Sequence, residues 1–294
     1  MDKLVGMITP VATPFYEDES INFTVFNQLI EYLIQSKMHC LLIGGSTGEY
    51  SLMTMDERKS IIEFAVRLTN KRAKVIAGCS CARPKDTIEL VQYSEKAGAD
   101  YALVLPPYYM HTSRQGIIDY YKQVSESTNI GIIIYHYPNA TAVRLEPDLI
   151  VEIAKIKNVV AIKDTDIMAN TAKLIDLTKD IDGFSVINGE EYNIMGTLAM
   201  GGAGCMGVIY NLVPREIVAL YDAIMSNELE KAREINNRLM PLYGLMEEEP
   251  YPGPIKAALE IIGFPMGIPR KPIVPPSDHM KAKLKEALIK AKII

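Results

Sequence analysis

Along the chain, apolar runs of four or five residues alternate with longer stretches in which apolar residues recur every three or four positions. The runs suit strands buried on both faces, and the stretches suit amphipathic helices. The predicted strands are Val5–Thr9, Cys40–Ile43, Val75–Cys79, Ala102–Leu105, Gly131–Tyr135, Val159–Lys163, Ser185–Asn188 and Cys205–Ile209. Helical periodicity covers Phe23–Gln35, Met55–Leu68 and Arg114–Ser125, and a further helix opens near Glu146-Pro147 and runs to Ile156. Pro84 and Pro214 are placed to open helices, where a missing N–H costs nothing.

Strand–helix alternation of this kind predicts βαβ units and a parallel sheet. The strands are evenly spaced, and polar or glycine-rich residues gather at their C-terminal ends. Both features favour a closed (β/α)8 TIM barrel over an open doubly wound sheet. From about Ser226 the pattern is helical only, over Leu229–Leu245, Ile255–Ile262 and His279–Lys292, with prolines between. The expected organisation is a catalytic barrel over residues 1–224 and a C-terminal helical extension over 225–294 packed on it.

Composition narrows the function classes. The 294 residues suffice for one large core, and a net charge of −5 lacks the basic footprint of a nucleic-acid binder. No apolar run reaches the ~18 residues that span a bilayer, and the N-terminus does not read as a signal peptide. Cys40, Cys79, Cys81 and Cys205 match no zinc spacing and read as buried free thiols. These features together lead us to expect a cytoplasmic protein, without membrane or nucleic-acid partners.

Lys163 is the most informative residue, because it ends an apolar run expected to form a barrel wall. Desolvation disfavours an ammonium group, and a neutral amine attacks a ketone to give an imine. A strand-end lysine can equally snorkel to water or pair with Asp164 or Asp166, and position alone does not separate these fates. Tyr135 ends the preceding strand and offers a phenol that both donates and accepts protons. Gly44-Gly45-Ser46-Thr47-Gly48-Glu49 follows the second strand, where backbone N–H groups and two hydroxyls suit a carboxylate or phosphate. Pro106-Pro107-Tyr108-Tyr109 can line a pocket or a subunit contact. Gly202-Ala-Gly204-Cys-Met-Gly207 spells a dinucleotide fingerprint, but a helix precedes it and a strand follows, the reverse of what that site needs. The histidines are scattered and form no metal-binding motif.

In order, GGSTGE (Gly44–Glu49), PPYY (Pro106–Tyr109), YHYP (Tyr135–Pro138), IKDT (Ile162–Thr165), NGEE (Asn188–Glu191), the GGAG segment and GIPRKP (Gly267–Pro272) resemble the family of dihydrodipicolinate synthase and N-acetylneuraminate lyase. The resemblance covers nearly the whole chain. It implies a Schiff-base aldolase acting on pyruvate and an aldehyde, with no metal or organic cofactor. It assigns the imine to Lys163, the proton relay to Tyr135, and the pyruvate carboxylate or part of the relay to Ser46 and Thr47. Tyr109 matches a tyrosine that reaches into a neighbouring subunit's site, and the family implies a homotetramer, a dimer of dimers. Thr165, Gly189, Glu191 and Met206 complete the expected substrate-facing set.

Within the family, synthases carry an arginine shortly after the YxxP segment for the aldehyde's carboxylate. Here that position is Ala140, with Arg144 four residues on. Neuraminate lyases carry an Asp-Glu pair after the seventh strand, of which Glu191 keeps one acid while Tyr192 replaces the other. Lys163-Asp164-Thr165 instead resembles the 2-keto-3-deoxy sugar acid aldolases. The leading expectation is therefore cleavage of a 2-keto-3-deoxygluconate-like acid to pyruvate and an aldehyde. The alternatives are condensation of pyruvate with aspartate semialdehyde, sialic acid cleavage, and a non-catalytic pyruvate-binding protein.

Overall fold

The computed structural model describes residues 3–110 and 112–294. Its elements, in chain order, are β1 (Gly6–Pro10), α1 (Phe23–Gln35), β2 (Cys40–Ile43), α2 (Met55–Thr69), β3 (Lys74–Gly78), α3 (Pro84–Ala97), β4 (Tyr101–Val104) and α4 (Arg114–Glu126). There follow β5 (Gly131–His136), α5 (Pro138–Thr141), α6 (Pro147–Ala154), β6 (Val159–Asp164), α7 (Met168–Thr178), β7 (Ser185–Asn188), α8 (Ile194–Ala199) and β8 (Gly204–Met206). Four helices come after the last strand: α9 (Pro214–Met225), α10 (Leu229–Tyr243), α11 (Gly253–Ile261) and α12 (Asp278–Lys290). The strands lie in sequence order in one closed barrel, the (β/α)8 architecture expected from the alternation.

Local chemistry sets the helix boundaries. Asn22 caps α1 by accepting from the Val25 N–H. Thr54 and Glu57 form a reciprocal capping box on α2. Pro84 opens α3, and Gly98 closes it in the left-handed region. Ser113 caps α4.

The chain divides into two compact units. One holds the residues up to Gly6 with Lys74–Met206, and the other Met7–Ala73 with Gly207–Ile294. In the first, β3 to β8 pair in parallel. A side chain at Gly204 would put its Cβ 2.0 Å from the Gly6 carbonyl oxygen, so glycine is required where these backbones meet. This close approach accounts for a glycine in the GGAG segment. In the second unit, β1 pairs with β2 in parallel, in register Ile8 to Cys40.

One strand is shorter than predicted. The apolar run to Ile209 reads as strand throughout, but β8 stops at Met206 and Val208–Asn211 form a 3-10 turn. The Asn211 side chain holds that turn. Its amide donates to the carbonyls of Val208 and Pro10 at 2.9 Å each, and its oxygen accepts from the Ala12 N–H at 3.1 Å. Apolar periodicity reports burial, and a buried turn is as apolar as a buried strand.

Cys40, Cys79 and Cys205 are buried, and Cys81 is half-buried. Burial pushes the Cys205 thiol up to about 12. Because only the thiolate reacts, iodoacetamide near pH 8 should modify Cys81 first and leave the other three intact until denaturant is added. Peptide mapping checks this, and rapid native labelling of Cys205 would contradict the burial.

Candidate active site

Strand pairing builds the centre of the site. Tyr135 on β5 lies opposite Lys163 on β6, which lies opposite Ile187 on β7. One residue further on, His136, Asp164 and Asn188 form a second row. Successive side chains alternate faces, so the two rows point in opposite directions. The second row faces α7, where Thr171 bonds to Asp164. The first row faces away from the helices.

On that face, Lys163 and Tyr135 are both buried, at 8% and 5% exposure. The Lys163 amine donates to the Tyr135 hydroxyl at 3.4 Å and sits 4.5 Å from the centre of its ring. Tyr137 stacks on Tyr135, with ring centres 5.9 Å apart. The fates in which Lys163 snorkels to water or pairs with Asp164 are not the ones adopted. Asp164 is turned to the other face, and Asp166 is taken by Arg144 and by the Asn170 amide at 2.8 Å.

Gly189 and Thr165 shape the space beside the lysine. A Cβ at Gly189 would lie 2.9 Å from Lys163 Cε and 2.1 Å from Thr165 Oγ1. Thr165 is buried, and its hydroxyl has no hydrogen-bond partner among the described residues. A buried hydroxyl without a partner is costly unless something else supplies one. Met206 is fully buried at the end of β8, and Glu191 is half-buried in the turn before α8. Tyr109 is 88% exposed, with φ +70, in the loop after β4.

Behind the lysine row lies a polar chain that the sequence pattern did not reveal. The Leu145 N–H donates to His136 Nε2 at 3.2 Å, which leaves the proton on Nδ1. Nδ1 meets Asp164 Oδ1 at 2.7 Å. Asp164 Oδ2 accepts from the Thr171 hydroxyl at 2.6 Å, and that oxygen accepts from the Asn188 amide at 3.0 Å. Four side chains, all at or below 2% exposure, thereby tie β5, β6, β7 and α7 together. His136, Asp164 and Asp166 bring potential metal ligands within 4.8 Å of one another. The set does not suit an ion, because both ring nitrogens and both acids already hold protein partners.

The hydroxyl-bearing turn belongs to the second unit. Ser46–Gly48 form a 3-10 turn after β2, with Thr47 buried and Ser46 half-buried. The next residue, Glu49, adopts φ +61, a left-handed conformation unusual for its type. Its carboxylate accepts from the Lys256 amine at 2.7 Å and from the Arg270 N–H at 2.8 Å. Both side chains of the Glu49–Lys256 pair are at most 1% exposed. Burial pushes the Lys256 amine below its ordinary range, and the Glu49 carboxylate opposes that shift. Breaking a pair so buried typically costs about 3–5 kcal/mol, so the turn is firmly held. The Thr47 hydroxyl meets the Tyr251 hydroxyl at 2.5 Å. GIPRKP, which carries Arg270, already stood among the quoted motifs, whereas nothing in the sequence pattern pointed to Tyr251 or Lys256.

The family profile described as "Dihydrodipicolinate synthetase family" matches residues 3–292. A 4-hydroxy-tetrahydrodipicolinate synthase of Exiguobacterium sibiricum is 34% identical over 284 residues, covering 96% of both chains. Among solved structures, a dihydrodipicolinate synthase from Thermotoga maritima has a TM-score of 0.95 at 30% identity, covering 99% of this chain and 100% of its own. A prophage protein of the dihydrodipicolinic acid synthase family from E. coli K12, in complex with pyruvate, also has a TM-score of 0.95 at 30% identity, covering 99% of each chain. Fold and relatives define the class, a carbon–carbon lyase of the pyruvate aldolase type on a (β/α)8 barrel. Within that class, the chain belongs to the dihydrodipicolinate synthetase family. The relatives' names match the synthase alternative better than the sugar-acid cleavage expected first.

Asp164→Ala leaves the His136 N–H and the Thr171 hydroxyl without their acceptor in a buried site. It should cost about 2–5 kcal/mol of stability, read from urea unfolding. A loss under about 1 kcal/mol would mean the polar chain is not what ties these strands.

Proposed function

We propose that the chain captures pyruvate as an imine on Lys163 and makes or breaks the bond between the pyruvate methyl carbon and an aldehyde carbon. The observation that carries this is the buried Lys163 amine donating to the Tyr135 hydroxyl at 3.4 Å. The unpartnered Thr165 hydroxyl beside it supports the same reading.

In the cleavage direction, the amine adds to the C2 ketone and water leaves, giving a protonated imine. Tyr135 gives its proton to the departing water, and the cation accepts the electron pair of the C3–C4 bond as the C4 hydroxyl proton passes to the Tyr135 oxygen. The aldehyde departs and an enamine remains. Protonation at C3 and hydrolysis then return pyruvate and the free amine. Condensation is the reverse. The resemblance assigns Ser46 and Thr47 to the pyruvate carboxylate or the relay. Fixing the ketone against the amine is worth a large part of the barrier.

For the aldehyde half, a hydroxyaldehyde from a 2-keto-3-deoxy acid fits the residues present. Ala140 is exposed in α5 and offers no charge, and the Arg144 guanidinium is engaged by Asp166. Thr165 then meets a substrate hydroxyl, and Glu191, half-buried in the turn before α8, is the acid offered to others. The second reading, aspartate semialdehyde, is favoured by the names of the relatives. The expected assembly is a homotetramer. Tyr109 and Met110, 88% and 74% exposed, offer an apolar contact for a neighbouring subunit. A cytoplasmic location accords with the free thiols.

Borohydride reduction in the presence of pyruvate should add a pyruvate-derived mass at Lys163 in peptide mapping, and Lys163→Ala should abolish it. Gly189→Ala, which crowds Lys163 Cε, should slow imine formation by about 10²-fold. An unlabelled Lys163 would refute the proposal. Pyruvate release from a panel of 2-keto-3-deoxy acids, set against condensation with aspartate semialdehyde, decides between the two aldehydes.

A further inference from the structure

His136 is held at both ring nitrogens, by two different parts of the chain. Nδ1 lies 2.7 Å from Asp164 Oδ1 on β6, and Nε2 accepts from the Leu145 N–H at 3.2 Å. The first contact belongs to the barrel wall. The second belongs to the far end of the loop between β5 and α6. That loop starts beside the lysine, because its first residue, Tyr137, stacks on Tyr135. His136 and Leu145 are both 2% exposed, so the N–H is shielded from solvent and depends on the ring for its acceptor.

The loop needs an anchor. Ala142 adopts φ +55, a left-handed conformation that persists only where its surroundings fix it. A second tie is the ion pair of Arg144 with Asp166, but Arg144 is half exposed there. Ion pairs open to solvent contribute little. The buried Leu145 N–H is the firmer of the two ties.

We infer that His136 is a positioning residue whose neutral ring latches the β5–α6 loop beside the reacting groups, and that one proton on Nε2 releases it. A neutral ring presents a lone pair at Nε2, and a protonated ring presents an N–H there. Two donors then face each other, so protonation and the Leu145 contact exclude one another. Asp164 accepts from Nδ1–H in both states and keeps the ring in place, so the release is local. Charged groups surround the ring on two sides. Carboxylate oxygens of Asp164 and Asp166 lie within 4.8 Å of a ring nitrogen and favour the added proton. Arg144, which also feels Glu146, opposes it. α7 and β7 present the uncharged Thr171 and Asn188, and burial keeps the α4 phenols Tyr120 and Tyr121 protonated. The effect on turnover rests on the reading that Lys163 forms the imine beside Tyr135, whereas the latch itself does not.

Hydrogen–deuterium exchange read by mass spectrometry tests the latch without a ligand. Peptides covering the loop to Leu145, β6 and α7 are compared in wild type and His136→Gln, with intrinsic exchange rates divided out. The two conditions are about pH 8 and about pH 5.5, which bracket ordinary imidazole titration. Glutamine offers Leu145 an oxygen acceptor that does not titrate. Below the ring's titration the latched fraction falls about tenfold per pH unit, the limit for one linked proton. Protection of the wild-type loop should therefore drop about tenfold between the two conditions, while β6 and α7 keep theirs. His136→Gln should show no such drop. The KM for 2-keto-3-deoxygluconate, or for aspartate semialdehyde if only that one reacts, should rise about tenfold in wild type and stay level in the variant.

Unchanged loop protection in wild type overturns the inference, as does a drop shared equally by β6 and α7. So does a drop of the same size in His136→Gln, which places the titrating group elsewhere. If His136→Gln does not fold, the wild-type comparison decides alone. Protection that falls while the wild-type KM stays level overturns the positioning role. A protein that turns over neither substrate refutes the aldolase reading, and the exchange data still decide the latch.

Discussion

The site depends on the register between β5, β6 and β7. Side chains alternate across a strand, so a slip of one residue would exchange the two faces. Lys163 would then face the helices and Asp164 would take its place. Apolar strands such as Val159-Val-Ala-Ile specify register weakly, because both faces are buried and either would accept Val or Ile. The polar row removes that freedom. His136, Asp164, Asn188 and Thr171 find all their partners in one alignment only. A satisfied buried network specifies one arrangement, since any other strands its donors and acceptors. The polar residues behind the strands thus determine where the amine in front of them stands.

A comparable division of labour holds in the second unit. The residues expected to meet the carboxylate, Ser46 and Thr47, lie in a short turn that ends in a left-handed glutamate. Such a backbone persists only where its surroundings fix it. Lys256 and Arg270 supply that constraint, and Phe15 lies beneath both cations, 4.2 Å and 4.4 Å from its ring centre. Lys256 on α11 and Arg270 in the segment before α12 hold the turn that carries the hydroxyls.

Much of this was legible in the sequence because the signals are local. Pro84 and Pro214 mark helix starts by their own chemistry, and α3 and α9 open at them. Lys163 and Tyr135 stood out because a strand of known phase ends in each. The end of β8 was not legible, because Asn211 acts through carbonyls that periodicity does not report. His136 and Asp164 looked like neighbours of the interesting residues rather than partners of each other. Their contact spans 28 positions, and Tyr251 meets Thr47 across 204. Pairings at such separations are set by tertiary structure, and no local pattern encodes them.

The central claim concerns one covalent bond, and a crystal structure with pyruvate tests it directly. Crystals soaked in pyruvate should show continuous density from Lys163 Nζ to the C2 carbon, with the Tyr135 hydroxyl within hydrogen-bond reach of the new imine. Pyruvate bound elsewhere, or lying beside Lys163 with its ketone intact at saturating concentration, would contradict the account.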